Sequence, residues 1–495
     1  MSWSAGFPVL VLATPLVTGL SILLLREEQV RARTVLNLIG ATLKGVLVAI
    51  MLWGVFHEES YETRFPLVEG VDFLLNSDAL SMLFATLSAL LWLVTTFYAV
   101  GYLEGGPHQR RFFTFFSLCV TSTMGIALAG NPLTFLLFYE LLTVSTWPLV
   151  VHSGTPEALR AGRLYLAYTL GGGALLFFAV AWLHALAGPV EFQQGGVLAR
   201  VGLAPGTAAL LFACFMAALG VKAALVPLHR WLPTAMVAPA PVSALLHAVA
   251  VVKAGAFGIV RFVYELFGVE YAASLGVMRP LAAVASFTIL YGSVRALSQE
   301  NLKRRLAWST VSQVSYIVLG TAIVGSLSTV GALVHLVHQG LMKITLFFCA
   351  GSLSRTLGIH EVHELKGVGR RMPWTMAAFT VGTLGMIGAP PIAGFITKWY
   401  LGLGSLEAGE AWVLGVLAGS TALNAAYWLP LLKRAWFDEP EERHAPRRGR
   451  FECNPLLLFP SLTTAALSLG VGLLAGSLLS PLFWARLIAF REFYP

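Results

Sequence analysis

The chain has 495 residues, of which 57% are hydrophobic and only 12% are charged. A soluble domain has about 25% charged residues, so this composition excludes an ordinary soluble enzyme and predicts an all-α polytopic membrane protein. The net charge of +8 does not indicate nucleic-acid binding, because the basic residues fall in short loops, where they orient a chain across the membrane.

A transmembrane helix needs about 20 consecutive apolar residues, and by that rule the sequence predicts about 14 spans. They lie at 7–25, 34–56, 78–101, 112–130, 132–152, 162–187, 207–226, 241–263, 277–297, 305–325, 328–353, 374–403, 411–433 and 455–485. Basic loops alternate with acidic or neutral ones, and the last basic loop holds Lys433, Arg434, Arg447, Arg448 and Arg450. The positive-inside rule places the basic loops in the cytoplasm. We therefore expect a multi-pass protein of the bacterial inner membrane with both termini outside.

Two spans are predicted to be broken. One carries Gly220 and is followed by Pro227, and the other carries Gly388, Pro390 and Pro391. Proline removes a helical donor, and a pair of interrupted spans is typical of an ion site built on inverted repeats. The sequence predicts three N-terminal helices (1–111), two inverted five-helix repeats (112–265 and 277–436) and a C-terminal helix (455–485). The alternative is that each proline only bends a helix for packing.

Ionisable residues occur where they are least expected. Lys222, Lys253 and Lys343 interrupt apolar runs, Lys398 follows the second break, and Glu140 lies inside another run. A charge at mid-bilayer depth costs about 2.5–3.5 kcal/mol on insertion scales. The series therefore predicts residues that carry or gate protons or other ions.

Glu140 and Lys222 are the expected charge pair of the first half. A carboxylate beside a buried lysine favours the charged forms of both, so moving the carboxylate away releases the lysine proton, and hydrating the site releases a proton held by a neutral carboxyl. The alternative is a static structural ion pair. Lys398 is expected to terminate the pathway, although a lysine near a helix end can also snorkel to the interface.

Histidines add relay candidates between the lysines. His247 precedes Lys253 on another helix face, and a neutral imidazole both donates and accepts. A hydrogen-bonded core histidine is the alternative there. His335, Gln339 and Lys343 are four residues apart and share a helix face, while His338 lies one residue off that stripe. The alternative for the stripe is polar contact between helices.

Several other functions are not indicated by the sequence. The four cysteines have no disulfide or metal spacing, and there is no phosphate-binding or dinucleotide-binding motif. His360 and His363 resemble a metal spacing only weakly. We expect no cofactor and no metal, and we expect the first apolar run to be a retained helix rather than a cleaved signal.

The stretches LGVKAALVPLHRWLP at 219–233 and PPIAGFITKW at 390–399, with 238–247 and 343–351, resemble a known family. It comprises the antiporter-like membrane subunits of Mrp-type cation/proton antiporters, respiratory complex I and membrane-bound hydrogenases. The resemblance runs over about 75–435. The segment 371–376 and the chain length look most like the D-type subunit of the Mrp antiporter.

The resemblance implies roles for individual residues. It implies a glutamate on the fifth span at Glu140 and lysines at Lys222, Lys253, Lys343 and Lys398. Many members carry a histidine four residues before the eleventh-span lysine, but this chain has Gln339 there. Glutamine cannot titrate, so His335, His338 or water would have to carry that step.

The resemblance further implies a proton-translocating subunit of a multisubunit Na⁺/H⁺ antiporter, working with other membrane subunits in the bilayer. The alternative is the proton-pumping subunit of a complex I-like NADH–quinone oxidoreductase or a membrane-bound hydrogenase, in which a partner would be the redox enzyme. A third alternative is a membrane scaffold without transport. Lysines suit protons better than Na⁺, so the Na⁺ path stays open.

Overall fold

A computed structural model describes residues 3–68, 70–440 and 451–494. Glu69 and the basic loop residues Arg447, Arg448 and Arg450 lie outside this part of the chain. In the first half the helices are α1 (Trp3–Leu24), α2 (Val30–Phe56), α3 (Ala79–Tyr102), α4 (Gln109–Leu128), α5 (Pro132–Val150), α6 (Pro156–Ala187), α7 (Leu198–Val201), α8 (Pro205–Lys222), α9 (Trp231–Thr234), α10 (Ala240–Ala248), α11 (Val251–Arg261) and α12 (Val269–Ser274).

The second half continues the series. Its helices are α13 (Met278–Leu297), α14 (Leu302–Ala322), α15 (Ser326–Leu357), α16 (Val368–Arg371), α17 (Pro373–Ile387), α18 (Ala393–Glu407), α19 (Trp412–Phe437), α20 (Pro455–Leu473) and α21 (Pro481–Ile488). Short 3₁₀ turns occur at Ala235–Val237 and Val362–Leu365, and π-helical turns at Phe262–Phe267 and Ala489–Phe493.

The prediction of an all-α polytopic membrane fold is confirmed. Within the described residues, 12 helices are long and apolar enough to cross a membrane. The other two predicted runs are α14, which is a helix of 21 residues, and 374–403, which divides into α17 and α18 of 15 residues each. The predicted run at 455–485 is not one helix, since α20 ends at Leu473 and α21 begins at Pro481.

One small element departs from the all-α prediction. β1 (Tyr61–Val68) and β2 (Val71–Ser77) form an antiparallel hairpin between α2 and α3, with Tyr61 opposite Ser77. Tyr61 and Thr63 are buried while Glu62 is exposed, which is the alternation that one buried sheet face requires. Its strands of eight and seven residues are shorter than the run of about 20 apolar residues in a transmembrane helix, so apolar run length does not predict this hairpin.

Both predicted helix breaks are present. α8 ends at Lys222 and regular helix resumes only at Trp231, and α17 ends at Ile387 before α18 begins at Ala393. Gly388 follows α17 with φ +94°, the left-handed conformation that commonly ends a helix. A third break, not predicted, separates α10 from α11 at Val249 and Ala250. The inverted relation of the two repeats stays a prediction.

Two spans form the centre of the molecule. The span Ala240–Phe267, which contains α10 and α11, and the long helix α15 are buried all round. α15 packs against α14, α17, α18 and α20 as well as α10. The helices that carry Lys253 and Lys343 are therefore shielded by other helices, whereas α1 and α2 expose much of their apolar surface.

Candidate ion-translocation site

Lys222, at the end of α8, is held by α5. Its ammonium donates a hydrogen bond to the Tyr139 carbonyl and lies 3.4 Å from the centroid of the Tyr139 ring. The Tyr139 hydroxyl donates in return to the Ala218 carbonyl of α8 at 3.2 Å. Lys222 is fully buried, so these contacts fix a cation-capable group at the first helix break.

Glu140 lies beside this site but does not touch the lysine. Its carboxyl packs against Gly173 of α6, where a Cβ would lie 1.9 Å from Glu140 Oε1. Glu140 and Lys222 interact electrostatically, yet the described residues contain no direct ion pair between them. The two groups of the predicted charge pair are therefore electrostatic neighbours without a direct contact, because the ammonium turns to the Tyr139 carbonyl while the carboxyl faces α6.

Lys253 occupies the centre of the described structure. It is fully buried on α11, and its ammonium nitrogen has no hydrogen-bond partner among residues 3–68, 70–440 and 451–494. Gly255 packs so tightly on the end of α8 that a Cβ would lie 2.2 Å from the Ala223 nitrogen. The charge of Lys253 acts on His335 and His338. Lys253 thus links the first break to the histidines of α15.

The two histidines of α15 converge on one hydroxyl. His335 Nδ1 lies 3.2 Å and His338 Nδ1 3.3 Å from Thr397 Oγ1. His335 Nε2 also lies 3.0 Å from the Gln313 carbonyl. Because a hydroxyl both donates and accepts, Thr397 can connect the two imidazoles. His338, which the sequence placed off the stripe, is therefore joined to His335.

Lys398, the next residue after Thr397, closes the second helix break. Its ammonium donates to the Ile387 carbonyl and to the Thr421 hydroxyl, both at 2.6 Å. The carbonyls of the last turn of a helix lack intrahelical partners, so Lys398 supplies one for α17. The predicted end of the pathway is thus built into the break itself.

Lys343 faces a different neighbour. Its ammonium donates to the Leu306 carbonyl at 3.1 Å and to the Ser309 hydroxyl, both on α14. His247 interacts electrostatically with Lys343, and the centroid of its ring lies 4.6 Å from that of the Phe347 ring at an interplanar angle of 36°. Neither nitrogen of His247 has a hydrogen-bond partner in the described part of the chain.

Gln339, the third member of the predicted stripe, makes none of these connections. It is fully buried, and both its amide oxygen and its amide nitrogen are without hydrogen-bond partners in the described structure. The three residues of the stripe, His335, Gln339 and Lys343, therefore lie on α15 at the predicted spacing, but no chain of hydrogen bonds connects them in the described structure.

Several polar residues near the second break were missed by sequence reasoning. Gln313 and Tyr316 of α14 lie beside the histidines and Lys398, with the Tyr316 ring 5.9 Å from the Lys398 ammonium. The Tyr316 hydroxyl donates to Ser420 of α19 at 2.7 Å, and Ser420 accepts from Asn424 at 3.2 Å. The sequence does indicate these residues, because the predicted span 305–325 contains an unusual run of serine, threonine, glutamine and tyrosine.

The weak metal spacing at His360 and His363 gains no support. Within the described ranges, the structure contains no group of three or more histidine, cysteine or acidic residues that could hold a metal ion. The four cysteines are free thiols.

A second charged cluster, also missed, lies at the start of α3. The Arg261 guanidinium donates to Asp78 at 2.6 Å and to Glu265 at 3.3 Å. Glu492, in the segment after α21, accepts from the Ala79 nitrogen at 3.2 Å. Burial alone would raise the pKa of Asp78, but the Arg261 guanidinium outweighs it and the net shift is downward.

The same cluster changes the acidity of Glu492. Burial, together with the negative charge of Asp78, raises the pKa of Glu492 to about 7, against the Ala79 nitrogen and Arg491, which lower it. The C-terminal segment is therefore attached to α3 through a carboxyl that holds its proton near neutrality.

Comparison with known proteins places this architecture in a family. The family described as NADH:quinone oxidoreductase/Mrp antiporter, transmembrane, matches residues 129–423. NADH-quinone oxidoreductase subunit N of Desulforudis audaxviator is 34% identical over 83% of each chain. Hydrogenase-4 component B of Escherichia coli is 33% identical over 72% of this chain and 55% of its own. The D-type subunit of the Na⁺/H⁺ antiporter of Alkalihalophilus pseudofirmus is 23% identical over 94% of each.

Solved structures show the same fold. A chain of the Mrp complex from Dietzia sp. DQ12-45-1b superposes with a TM-score of 0.86 and 21% identity, covering 100% of this chain and 98% of that one. A chain of the membrane-bound sulfane sulfur reductase, an archaeal respiratory membrane complex, superposes with a TM-score of 0.85 and 21% identity, covering 98% and 97%. The family match spans more than half of the chain, and it contains Glu140 and all four lysines of the predicted series. The chain belongs to the NADH:quinone oxidoreductase/Mrp antiporter family, as a multi-pass, antiporter-like membrane subunit of its proton-translocating type.

Proposed function

We propose that this chain moves protons through the membrane along its buried Glu, Lys and His residues, as one subunit of a multisubunit complex. The observation that carries the proposal is the pair of imidazoles joined by the Thr397 hydroxyl, next to Lys398 at a helix break. A structural scaffold does not need such a connection, and polar groups at membrane depth are costly.

In this proposal the proton enters near Glu140 and passes to Lys222 at the first break. Lys253 comes next, because its charge acts on both His335 and His338. Each transfer changes the electrostatic free energy of the next site, since charges in a low-dielectric interior interact strongly. Occupancy of one site therefore drives the proton from the next.

The second half of the path divides at α15. One branch runs through Thr397 to Lys398 at the second break. The other joins His247 and Lys343 to the Ser309 hydroxyl. We propose that Lys398 is the distal end, since its ammonium also reaches Thr421 on α19. The two predicted repeats, 112–265 and 277–436, would each supply one half-channel.

We propose an Mrp-type Na⁺/H⁺ antiporter as the parent complex, with this chain in the place of its D-type subunit and both termini outside the bacterial inner membrane. The support is that the D-type subunit of Alkalihalophilus pseudofirmus aligns over 94% of both chains. The proton path is assigned to this chain and the Na⁺ path is left to the complex, because lysine ammonium groups repel cations.

A second candidate, a proton-pumping subunit of a redox complex, is favoured by the identity values. The relatives named NADH-quinone oxidoreductase subunit N and Hydrogenase-4 component B are 34% and 33% identical to this chain. The same residues would move protons, and a partner would supply the energy. Purification of the intact complex from its native membrane and identification of its subunits separates the two candidates: redox subunits would overturn the antiporter assignment.

Transport itself is tested with the intact complex in vesicles that enclose a pH-sensitive dye. We expect Glu140→Gln and Lys222→Met each to slow proton movement on the order of tenfold or more, which corresponds to about 1.4 kcal/mol or more in the barrier. Lys433→Met is the matched control, because that lysine is exposed at the end of α19. Transport by both variants at the control rate would refute the proton path.

A further inference from the structure

Lys44 is a buried lysine that the series above does not use. It lies on α2, 14 residues from Val30 and 12 from Phe56, which is about 21 Å and about 18 Å along a helix of 1.5 Å rise per residue. Its side chain is fully buried. The four-carbon stem cannot bring the ammonium to either end of α2, so Lys44 does not snorkel.

The surroundings of Lys44 do not offset a permanent charge. The ammonium lies 4.6 Å from the centroid of the Trp92 ring on α3. One cation–π contact is weaker than the hydration that a charged ammonium loses on burial. The nitrogen has no hydrogen-bond partner in the described structure, and no charged side chain of those residues acts on it.

Buried polar atoms of α2, α3 and α4 also lack hydrogen-bond partners. The side-chain oxygens of Asn37 on α2, Ser88 on α3 and Ser117 on α4 are buried and lack hydrogen-bond partners within residues 3–68, 70–440 and 451–494. Buried polar groups of this kind commonly bind water. Asn37 lies between Arg33 and Lys44 along α2. The Arg33 guanidinium donates a hydrogen bond to the side-chain oxygen of Gln109 on α4 at 2.8 Å. Polar groups therefore lead from Lys44 toward the end of α2 that carries Arg33.

Other ligands are a poorer match. A carboxylate of a partner subunit or a lipid phosphate cannot reach a side chain that is fully buried in mid-helix. A proton can reach it through transient water. Water that enters the site can deliver a proton to the amine and carry it away again, which is what a reversible proton-binding group requires.

We propose that Lys44 is a further proton-binding site, located in the N-terminal helices α1–α4 and loaded by water from the Arg33 end of α2. It is separate from the central series, because α3 stands between them: Trp92 faces Lys44, whereas Leu87 packs on Gly340 of α15. The role of Lys44 in transport rests on the proposed function, but its ability to bind a proton does not.

The binding test needs no transport. The intact complex is prepared with ¹⁵N-labelled lysine in this chain, which has eight lysines, and the side-chain nitrogens are followed by solid-state NMR between pH 5 and 10. We expect one resonance, absent in Lys44→Met, to move between the ammonium and the amine position within that range. A Lys44 resonance that stays at one position throughout would overturn the site.

The transport test separates a proton site from a fixed charge. Lys44→Met and Lys44→Arg are compared in vesicles, because arginine keeps the positive charge but does not release its proton. We expect both variants to slow proton uptake several-fold relative to Lys433→Met. Rescue by arginine would overturn the proton-binding role and assign Lys44 a fixed charge. Normal transport by Lys222→Met together with a titrating Lys44 would instead refute the proposed function and leave the Lys44 site intact.

Discussion

Removing the Thr397 hydroxyl is the most direct test of the path on α15. That oxygen lies 3.2 Å from His335 Nδ1 and 3.3 Å from His338 Nδ1, and the residue is fully buried. Thr397→Val keeps the β-branched shape and removes the hydroxyl that joins the two imidazoles. If protons pass between them, the variant must slow transport while the helices stay packed.

The magnitude follows from the hydrogen bonds lost. A buried polar atom left without its partner costs about 1–3 kcal/mol. If one such cost falls on the barrier to proton passage, the rate falls about 5- to 160-fold, since 1.36 kcal/mol corresponds to a factor of ten. His335 keeps its 3.0 Å contact with the Gln313 carbonyl, so we expect the lower half of that range.

The assay is proton uptake by vesicles containing the intact complex, with thermal stability measured in parallel. Thr321→Val is the matched control, because Thr321 is equally buried and its hydroxyl donates to the Ile317 carbonyl of its own helix, at 2.8 Å. A Thr397→Val complex that transports at the Thr321→Val rate would refute the relay through this hydroxyl.

Three further substitutions test the other parts of the structure. Gly173→Ala would put a Cβ 1.9 Å from Glu140 Oε1 and displace the carboxyl, so we expect transport to fall several-fold; Gly171→Ala, which meets nothing within 4 Å, should leave it unchanged, and equal rates would contradict the reasoning. Gln339→Leu removes two buried amide atoms without partners in the described chain; if these atoms hold the water that carries the step glutamine cannot carry, transport should slow several-fold, and unaltered transport would contradict that role. The pKa of Glu492 is about 7 in the docked segment against 4.5 for a free carboxyl, so docking is stabilised below pH 4.5 and loses on the order of 3 kcal/mol at most as pH rises through 7. Proteolytic release of the C-terminal segment should increase from pH 5 to pH 8 in the wild type but not in Glu492→Gln, and pH-independent cleavage of the wild type would contradict this.

The span map and both predicted helix breaks could be obtained from sequence because they rest on local rules. Apolar run length predicts spans, and Gly–Pro clusters predict interruptions. The rule that singled out the central lysines also applies to Lys44 and Arg261, which interrupt the predicted spans 34–56 and 241–263. These two residues were missed although they interrupt apolar runs in the same way. An ionisable residue inside a predicted span is therefore a candidate functional residue even where no family motif contains it.

The partners of each charge could not be obtained in this way. Lys343 turns to Ser309, 34 positions away in sequence, and Lys222 turns to the Tyr139 carbonyl rather than to the neighbouring Glu140. Such contacts depend on which helices pack together and on side-chain direction. Sequence spacing constrains neighbours within one helix only.

The stripe on α15 shows why helix-face reasoning fails at the centre of this fold. Spacing of four residues groups His335 with Gln339, and that grouping has physical meaning when one face of a helix is buried and the other is solvated. α15 is buried all round, so each face meets a different helix and none is favoured in advance. His338 is therefore connected to His335 through the Thr397 hydroxyl of α18, while the amide of Gln339 has no hydrogen-bond partner in the described structure. In a helix enclosed on every side, the role of a polar residue is decided by the neighbouring helix that it contacts, and not by its spacing from other polar residues of the same helix.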